Sequence, residues 1–297
     1  MTVNDRFEQL KAEIIGTDLT INSLIEVDEL HEQFIKLRKA LFFEGIMDFM
    51  PHYRGEQKYG WDIKPGLFRA PLNIPDATTA KKLEHLACME FEQSVATDGQ
   101  HLLRDIFYYE KYGKEWDLLF QAQHGGIKTS ITDWTAIIQS ALYFAVEHSS
   151  YANIEAADGQ LWVMLAPTNY ILAHTDKNKA KNFYSQDPKT INQYYIINPS
   201  TYLDDIDTRL YEKRMFRQKG RFFITPANMC HTAINQEEML RPYLLRFRIP
   251  AEKKLEIREE LAQRQLTRKY VYVQENEQIE AIAADVNRKV YKDYYTN

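Results

Sequence analysis

The sequence has no run of apolar residues approaching the roughly 18 that a membrane-spanning helix needs. Met1 to Leu10 is polar and lacks the apolar stretch of a secretory signal, so the expected setting is cytoplasmic, with no membrane partner. Only two cysteines occur, Cys88 and Cys230. Two cannot build a zinc site alone, and nothing places them in a disulfide-stapled context, so both read as inert thiols. No glycine-rich loop ends in Lys-Ser/Thr, which argues against ordinary ATP hydrolysis. The Gly-x-Ser-x-Gly elbow of serine hydrolases and the His-Glu-x-x-His of zinc proteases are missing as well. No Gly/Ser-rich or Pro-rich linker divides the chain, and no internal repeat is visible.

What is present is ordinary globular composition, 44% hydrophobic and 27% charged over 297 residues. The rings are the unusual part, with 19 Tyr, 15 Phe and 4 Trp. Such rings build cores and also line pockets that stack on planar ligands. The net charge of −5 gives no global pull toward nucleic acid. Basic residues cluster locally, from Arg209 to Arg221 and from Arg264 to Lys269.

Residues 1–25 read as a peripheral or weakly ordered segment, followed by one domain over 26–290. A helix is predicted from Asp28, with Leu30, Phe34, Leu37 and Leu41 on one face. Pro51 marks an edge strand or the start of a strand. Helices are predicted over Ala80–Thr97, Leu102–Tyr112, Trp116–Gln123, Ile137–His148, Tyr211–Arg217, Ala251–Gln265 and Glu277–Tyr291. Strands or extended segments are predicted over Ile127–Trp134, Leu161–Leu165, Gln193–Ile197, Phe222–Thr225, Tyr243–Ile249 and Tyr270–Val273. Strands scattered among helices without βαβ alternation indicate an α+β fold with a mixed central sheet of short strands.

Three polar segments stand out. Tyr53-Arg54-Gly55-Glu56-Gln57 is followed by Trp61 and by Pro65-Gly66-Leu67-Phe68-Arg69. A guanidinium in that position either pairs with a carboxylate or forks an anion, and Gly55 allows a close backbone approach beside it. The second segment, Gln123 to Thr135, crowds His124, Thr129, Ser130, Thr132 and Asp133 between two apolar helices. Buried polar groups need partners, so this density is either a fold-holding network or a pocket wall. Asp133 and Thr135 are also candidates to cap the next helix. The third, Arg214 and Gln218 to Pro226, reads as a helix end, a glycine turn and a strand; cations favour a helix C-terminus on structural grounds alone.

Together these segments resemble the FRG domain family, whose aromatic-Arg-Gly motif is matched by Tyr53-Arg54-Gly55. Gln123 to Ala145 is similar to the family's central block, and Arg214, Gln218, Gly220 and Phe222 to its later Arg…Gln-x-Gly-x-Phe. One departure is Ser130-Ile131-Thr132, where the family usually has arginine and two leucines before the Asp-Trp pair. A more distant similarity is to ADP-ribosyltransferases of the Arg/Ser-Thr-Ser/Glu type, whose motifs follow the same order. That resemblance implies an enzyme that uses NAD to modify a protein or nucleic-acid acceptor, in a setting such as bacterial or phage defence. Arg54 would clamp the NAD pyrophosphate beside Gly55 and Gln57, and Thr129, Ser130 and Thr132 would position Arg54 and the ribose. Tyr143 would stack on nicotinamide, with His124 and Arg214 completing the nucleotide site. Gln218 falls where the Gln/Glu-x-Glu pair would sit, but Gly220 takes the place of the catalytic carboxylate. Asp133 or Glu212 would then supply the charge that stabilises an oxocarbenium-like transition state. Two alternatives stay open: a nucleotide-sensing module using the same pocket without turnover, and a nuclease or other hydrolase, for which His124 and Asp133 lack the second carboxylate of a two-metal site.

Overall fold

A computed structural model of the chain describes residues 2–98, 114–165, 186–191, 194–197, 217–229, 232–272 and 277–296. The predicted helix Leu102–Tyr112, most of Tyr211–Arg217, and Glu212, Arg214, Gln193 and Cys230 lie outside the described residues.

The chain begins with two helices, α1 (Val3–Ile15) and α2 (Leu24–Phe43). Thr2 and Asp5 form a reciprocal capping box on α1. Phe7, Leu10 and Ile15 are buried in the same core as α2, so the reading of this segment as weakly ordered is corrected for these residues. The polar residues between them cover a single apolar stripe, too thin to stand out in the sequence. Helix α2 starts four residues ahead of Asp28, because Ser23 accepts the Glu26 N–H as its N-cap. Leu24, Val27, Leu30, Phe34, Leu37 and Leu41 then form a buried stripe at helical spacing. Each such side chain contributes about 1.5–3 kcal/mol by leaving water.

Then come β1 (His52–Glu56), α3 (Ala77–Asp98), α4 (Lys114–Gly125), β2 (Ile131–Thr135), α5 (Ile138–Val146), a single turn α6 (Ala152–Glu155), β3 (Gly159–Met164) and β4 (Tyr195–Ile197). The C-terminal part holds β5 (Gly220–Ile224), β6 (Leu244–Ile249), α7 (Lys254–Gln263), the short α8 (Arg268–Val271) and α9 (Glu277–Tyr291). The six strands form one sheet in the order β4-β5-β2-β1-β3-β6. Every strand pairing among the described residues is antiparallel, which corrects the mixed sheet expected from sequence within an α+β architecture. Pro51 does open a strand, but β1 lies inside the sheet rather than at its edge. Its missing N–H falls one residue before the ladder begins. Tyr270–Val273, predicted as a strand, is replaced over Arg268–Val271 by a turn of helix. Its β-branched and aromatic residues serve packing there, with Val271 buried.

Strand alternation decides what β1 contributes. Tyr53 and Gly55 turn toward α2 and α5, while His52, Arg54 and Glu56 turn to the opposite face. A Cβ at Gly55 would lie 1.7 Å from the Ala141 carbonyl oxygen, so only glycine lets α5 sit this close to β1. The Tyr53 hydroxyl meets His31 Nδ1 of α2 at 2.8 Å. Helices α3, α4 and α9 cover the β2–β5–β4 half of that face, and α2 and α5 cover the β1–β3–β6 half.

Candidate functional site

The two halves of the sheet meet at β1 and β2, which share one Cα register pair, Tyr53 with Thr135. Beyond that pair Arg54 Nη1 donates to the Asp133 carbonyl at 2.6 Å, so a side chain serves an acceptor that a continuous ladder would give to a backbone N–H. A cleft of about 380 Å³ opens there, within the range of small-ligand sites.

Its floor is an ion cluster. Glu56 Oε1 accepts from Arg54 Nε and Nη2, each at 3.1 Å, and lies 3.4 Å from Arg69 Nη2. Glu56 Oε2 accepts from Gln160 Nε2 at 2.7 Å. The Glu56 side chain is 5% exposed, Arg54 14% and Arg69 42%, so the cluster grades from buried carboxylate to accessible guanidinium. Burial first, and the Arg54 guanidinium next, pull Arg69 down to about 10. It remains charged at neutral pH. Gln160, fully buried, also donates to the Trp61 carbonyl and accepts from Gly60 N–H at 2.9 Å, which fixes the loop carrying Trp61 over the cleft.

One wall is β2 and α4. Asp133 Oδ2 accepts from Gln123 Nε2 at 2.9 Å, and Gln123 Oε1 accepts from the Thr129 hydroxyl. His124 and Trp134 join this wall. The other wall comes from α5 and α8. Glu147 accepts from the Tyr272 hydroxyl at 2.7 Å and from Arg268 Nη1 at 3.1 Å, and the Phe144 and Tyr272 rings cross edge-on at 6.0 Å. Gln57 Nε2 donates to the Glu147 carbonyl at 3.2 Å. At the far end Thr135 donates its hydroxyl to the Gln218 carbonyl, and Ala136 N–H donates to the Lys219 carbonyl at 3.1 Å. These two bonds hold the Gln218-Lys219-Gly220 turn over the opening, with Lys219 in the left-handed region at φ 42°. Gln218 Nε2 reaches across to the Val271 carbonyl at 2.9 Å.

The cleft therefore brings together Arg54, Gly55, Gln57, His124, Asp133 and Gln218 of the residues singled out in the sequence. It does not include Thr129, Ser130 or Thr132, all buried. Ser130 N–H donates to Glu84, whose carboxyl is pushed up by burial, and Thr132 accepts from Trp134 Nε1 at 3.1 Å. Thr129 acts only indirectly, by orienting Gln123. Tyr143 is 8% exposed, turned away from the lining, with its hydroxyl 3.5 Å from Glu147; its neighbour Phe144 supplies the ring expected of it. The anticipated capping by Asp133 or Thr135 is absent: both lie within β2, and α5 begins at an Ile137 N-cap with no side-chain cap. The Ile137 N–H that Thr135 accepts at 2.9 Å belongs to the turn before the helix.

Sequence reasoning gave no site role to Glu147 and Tyr272, and none of their own to Glu56, Arg69 and Gln123, although these three lie within its polar segments. The signal for Glu56 was present: two positions after Arg54 on a strand is the same face. Glu147 follows Tyr143 by four residues, one helical turn. Nothing local pointed to Tyr272, which reaches the cleft only through the docking of α8.

Among the described residues no group of three or more His, Cys, Asp or Glu is arranged to hold a metal ion, and no helix is long and apolar enough to cross a membrane. Residues 51–153 match the family model of the FRG domain. The match runs from Pro51 through β1, α3, α4, β2 and α5, and includes every residue lining the cleft except Gln218 and Tyr272. Neither the curated proteins nor the solved structures gave a match to the chain.

Proposed function

We propose that this chain, which carries an FRG domain, binds a nucleotide of the NAD type in the Arg54 cleft and acts as an ADP-ribosyltransferase-like enzyme of the cytoplasm. The observation that carries the reading is the splay of β1 from β2, which sets the Arg54–Arg69 pair and the Asp133 carboxylate on facing sides of one ring-walled cleft. Two guanidiniums held by a single carboxylate, Glu56, keep donors for a pyrophosphate. Trp61, Phe144 and Tyr272 offer faces for the planar groups at either end of a dinucleotide.

Transfer breaks the bond between the ribose anomeric carbon and the nicotinamide nitrogen, and positive charge develops on the ribose. A carboxylate close to that carbon stabilises it. Asp133 suits this role, because its side chain is held by the Gln123 amide, whereas Glu56 is engaged by two arginines and Glu147 by Arg268 and Tyr272. Nicotinamide leaves, a nucleophilic atom of the acceptor bonds to the anomeric carbon, and the acceptor's proton passes to solvent. Gln218, at the mouth, would orient that acceptor.

A second reading, nucleotide sensing without turnover, is favoured by Gly220, which carries no side chain where the related enzymes have a glutamate. One experiment separates the two. NAD should raise the melting temperature of the protein, and nicotinamide should be released with a cell extract as acceptor source. Asp133→Asn should keep the thermal shift and lose the release, while Arg54→Ala should lose both. A thermal shift with no release under any acceptor would leave sensing, and no shift with NAD or with ADP-ribose would end both readings.

A further inference from the structure

The described end of one basic run, Arg217 to Lys219, and the Arg268–Lys269 end of the other meet at the mouth of the cleft. Arg217 stacks its guanidinium over the Tyr270 ring at 5.2 Å, and Arg268 lies over the Tyr272 ring at 4.7 Å. The bond from Gln218 Nε2 to the Val271 carbonyl ties the two segments together, so this is one surface. Lys219 and Lys269 are exposed on it, Lys219 within the left-handed turn at the rim. Among the described residues, the carboxylate that meets these four cations is that of Glu147, bound to Arg268. Tyr270 keeps 37% of its surface exposed beneath a cation, and Tyr272 runs from the rim into the cleft. This is a local excess of positive charge on a chain whose net charge is −5.

We infer that the Arg217–Lys219 and Arg268–Tyr272 rim binds single-stranded nucleic acid, with phosphates on Arg217, Lys219 and Lys269 and a base against Tyr270. Charge alone would serve any polyanion. The partner is nucleic acid because cations alternate with exposed rings, and unpaired bases stack on such rings and arginines at about 1–3 kcal/mol each. A double helix offers no unstacked base to Tyr270, so the strand bound is single. Only three or four cations take part, which sets a shallow dependence on salt, a log–log slope of about −2 to −3. As the acceptor of the transfer, such a strand would lie with one nucleotide at Tyr272, leading into the cleft. That further role rests on the transferase reading; binding at the rim does not.

The test is fluorescence anisotropy of a labelled mixed-sequence DNA and RNA strand of about 12 nucleotides, with the full chain and no NAD. Binding is expected with Kd of about 1–100 µM in low salt. Lys219→Glu combined with Lys269→Glu should weaken it at least about tenfold and flatten the slope by about 1.4. Tyr270→Ala should weaken the strand and leave binding of heparin, which has no bases, unchanged. All three positions are exposed, so the melting temperature and its shift with NAD should stay as in the parent protein. No binding by the parent chain, or equal binding by the double charge reversal, would overturn the inference. Equal competition by a glutamate peptide of the same length would overturn it in favour of an acidic protein partner. If strands bind while nicotinamide is never released, the rim stands and the transferase reading fails. Nicotinamide release without strand binding keeps the transferase and removes the rim.

Discussion

Two polar stretches of this chain look alike on paper and differ completely in the fold. The run Thr129-Ser130-Ile131-Thr132 is buried, with the Thr129 hydroxyl on Gln123, the Ser130 N–H on Glu84 and the Thr132 hydroxyl accepting from Trp134. The group Arg54, Glu56 and Arg69 starts from a carboxylate nearly as buried, yet ends in a guanidinium 42% exposed. The first stretch spends these bonds inside the fold and presents no side chain to the cleft. In the second, two cations and the Gln160 amide share one carboxylate, so donors remain that face the cleft. Polar density in a sequence therefore marks a site only where donors and acceptors fail to balance.

The largest effect that tests this contrast strikes the support common to both. Gly55→Ala would drive a methyl into the Ala141 carbonyl and into the Ala145 nitrogen 2.7 Å away, backbone atoms that cannot rotate aside. A loss of about 3 kcal/mol or more is expected, read as a lower denaturant midpoint at unchanged slope. If the variant is as stable as the parent, the close seat of α5 on β1 is wrong, and with it the geometry of the cleft.

Next in size is the open cluster itself. Arg54→Ala leaves Glu56 buried with Arg69 and Gln160 as partners, which should cost about 2 kcal/mol and abolish the thermal shift with NAD. Adding Glu56→Gln to Arg54→Ala should recover much of the lost stability without restoring the shift. Full recovery of the shift in the double variant would mean that Arg54 acts only on Glu56 and never on a ligand.

Smaller still is the buried run. Thr129→Val removes the hydroxyl that serves Gln123 and should cost about 1 kcal/mol. Nucleotide binding should weaken far less than in Arg54→Ala, because Thr129 is fully buried and touches the cleft only through Gln123. A loss as large as that of Arg54→Ala would put the hydroxyl run back into the site, as the transferase resemblance first implied.

Why one stretch could be read from sequence and the other could not follows from range. Helix α9 spans Glu277–Tyr291, the bounds expected from its apolar repeat, because periodicity is a local property. The aromatic-Arg-Gly motif gave Arg54 and the close approach at Gly55 for the same reason. Which side Thr129 to Thr132 would face depends on α3, whose Glu84 lies 46 residues earlier. Tyr272 depends on a helical turn at Arg268–Val271 that β propensity opposed. Such contacts are decided by packing between distant segments, and a single sequence holds no trace of them.

The finest discrimination comes from His52, which shares a face of β1 with Arg54 and Glu56 and belongs to neither kind of polar group. It is 4% exposed, and neither ring nitrogen has a hydrogen-bond partner. Burial first, and the Arg221 charge next, pull its pKa down to about 3. A folded-state pKa below the unfolded value near 6.5 means that the unfolded chain takes up the proton first. Stability is then fully present above about 6.5 and drains away as pH falls toward 3. For one such group the loss between pH 7 and pH 6 is about 0.7 kcal/mol. His52→Leu puts an apolar side chain among Met164 and its neighbours and has no proton to take up. The difference in stability between parent and variant should therefore widen by that amount over the same interval. A difference that stays constant from pH 7 to pH 5 would show that His52 is charged or partnered in the folded protein, and that this end of β1 is wetter than its burial implies.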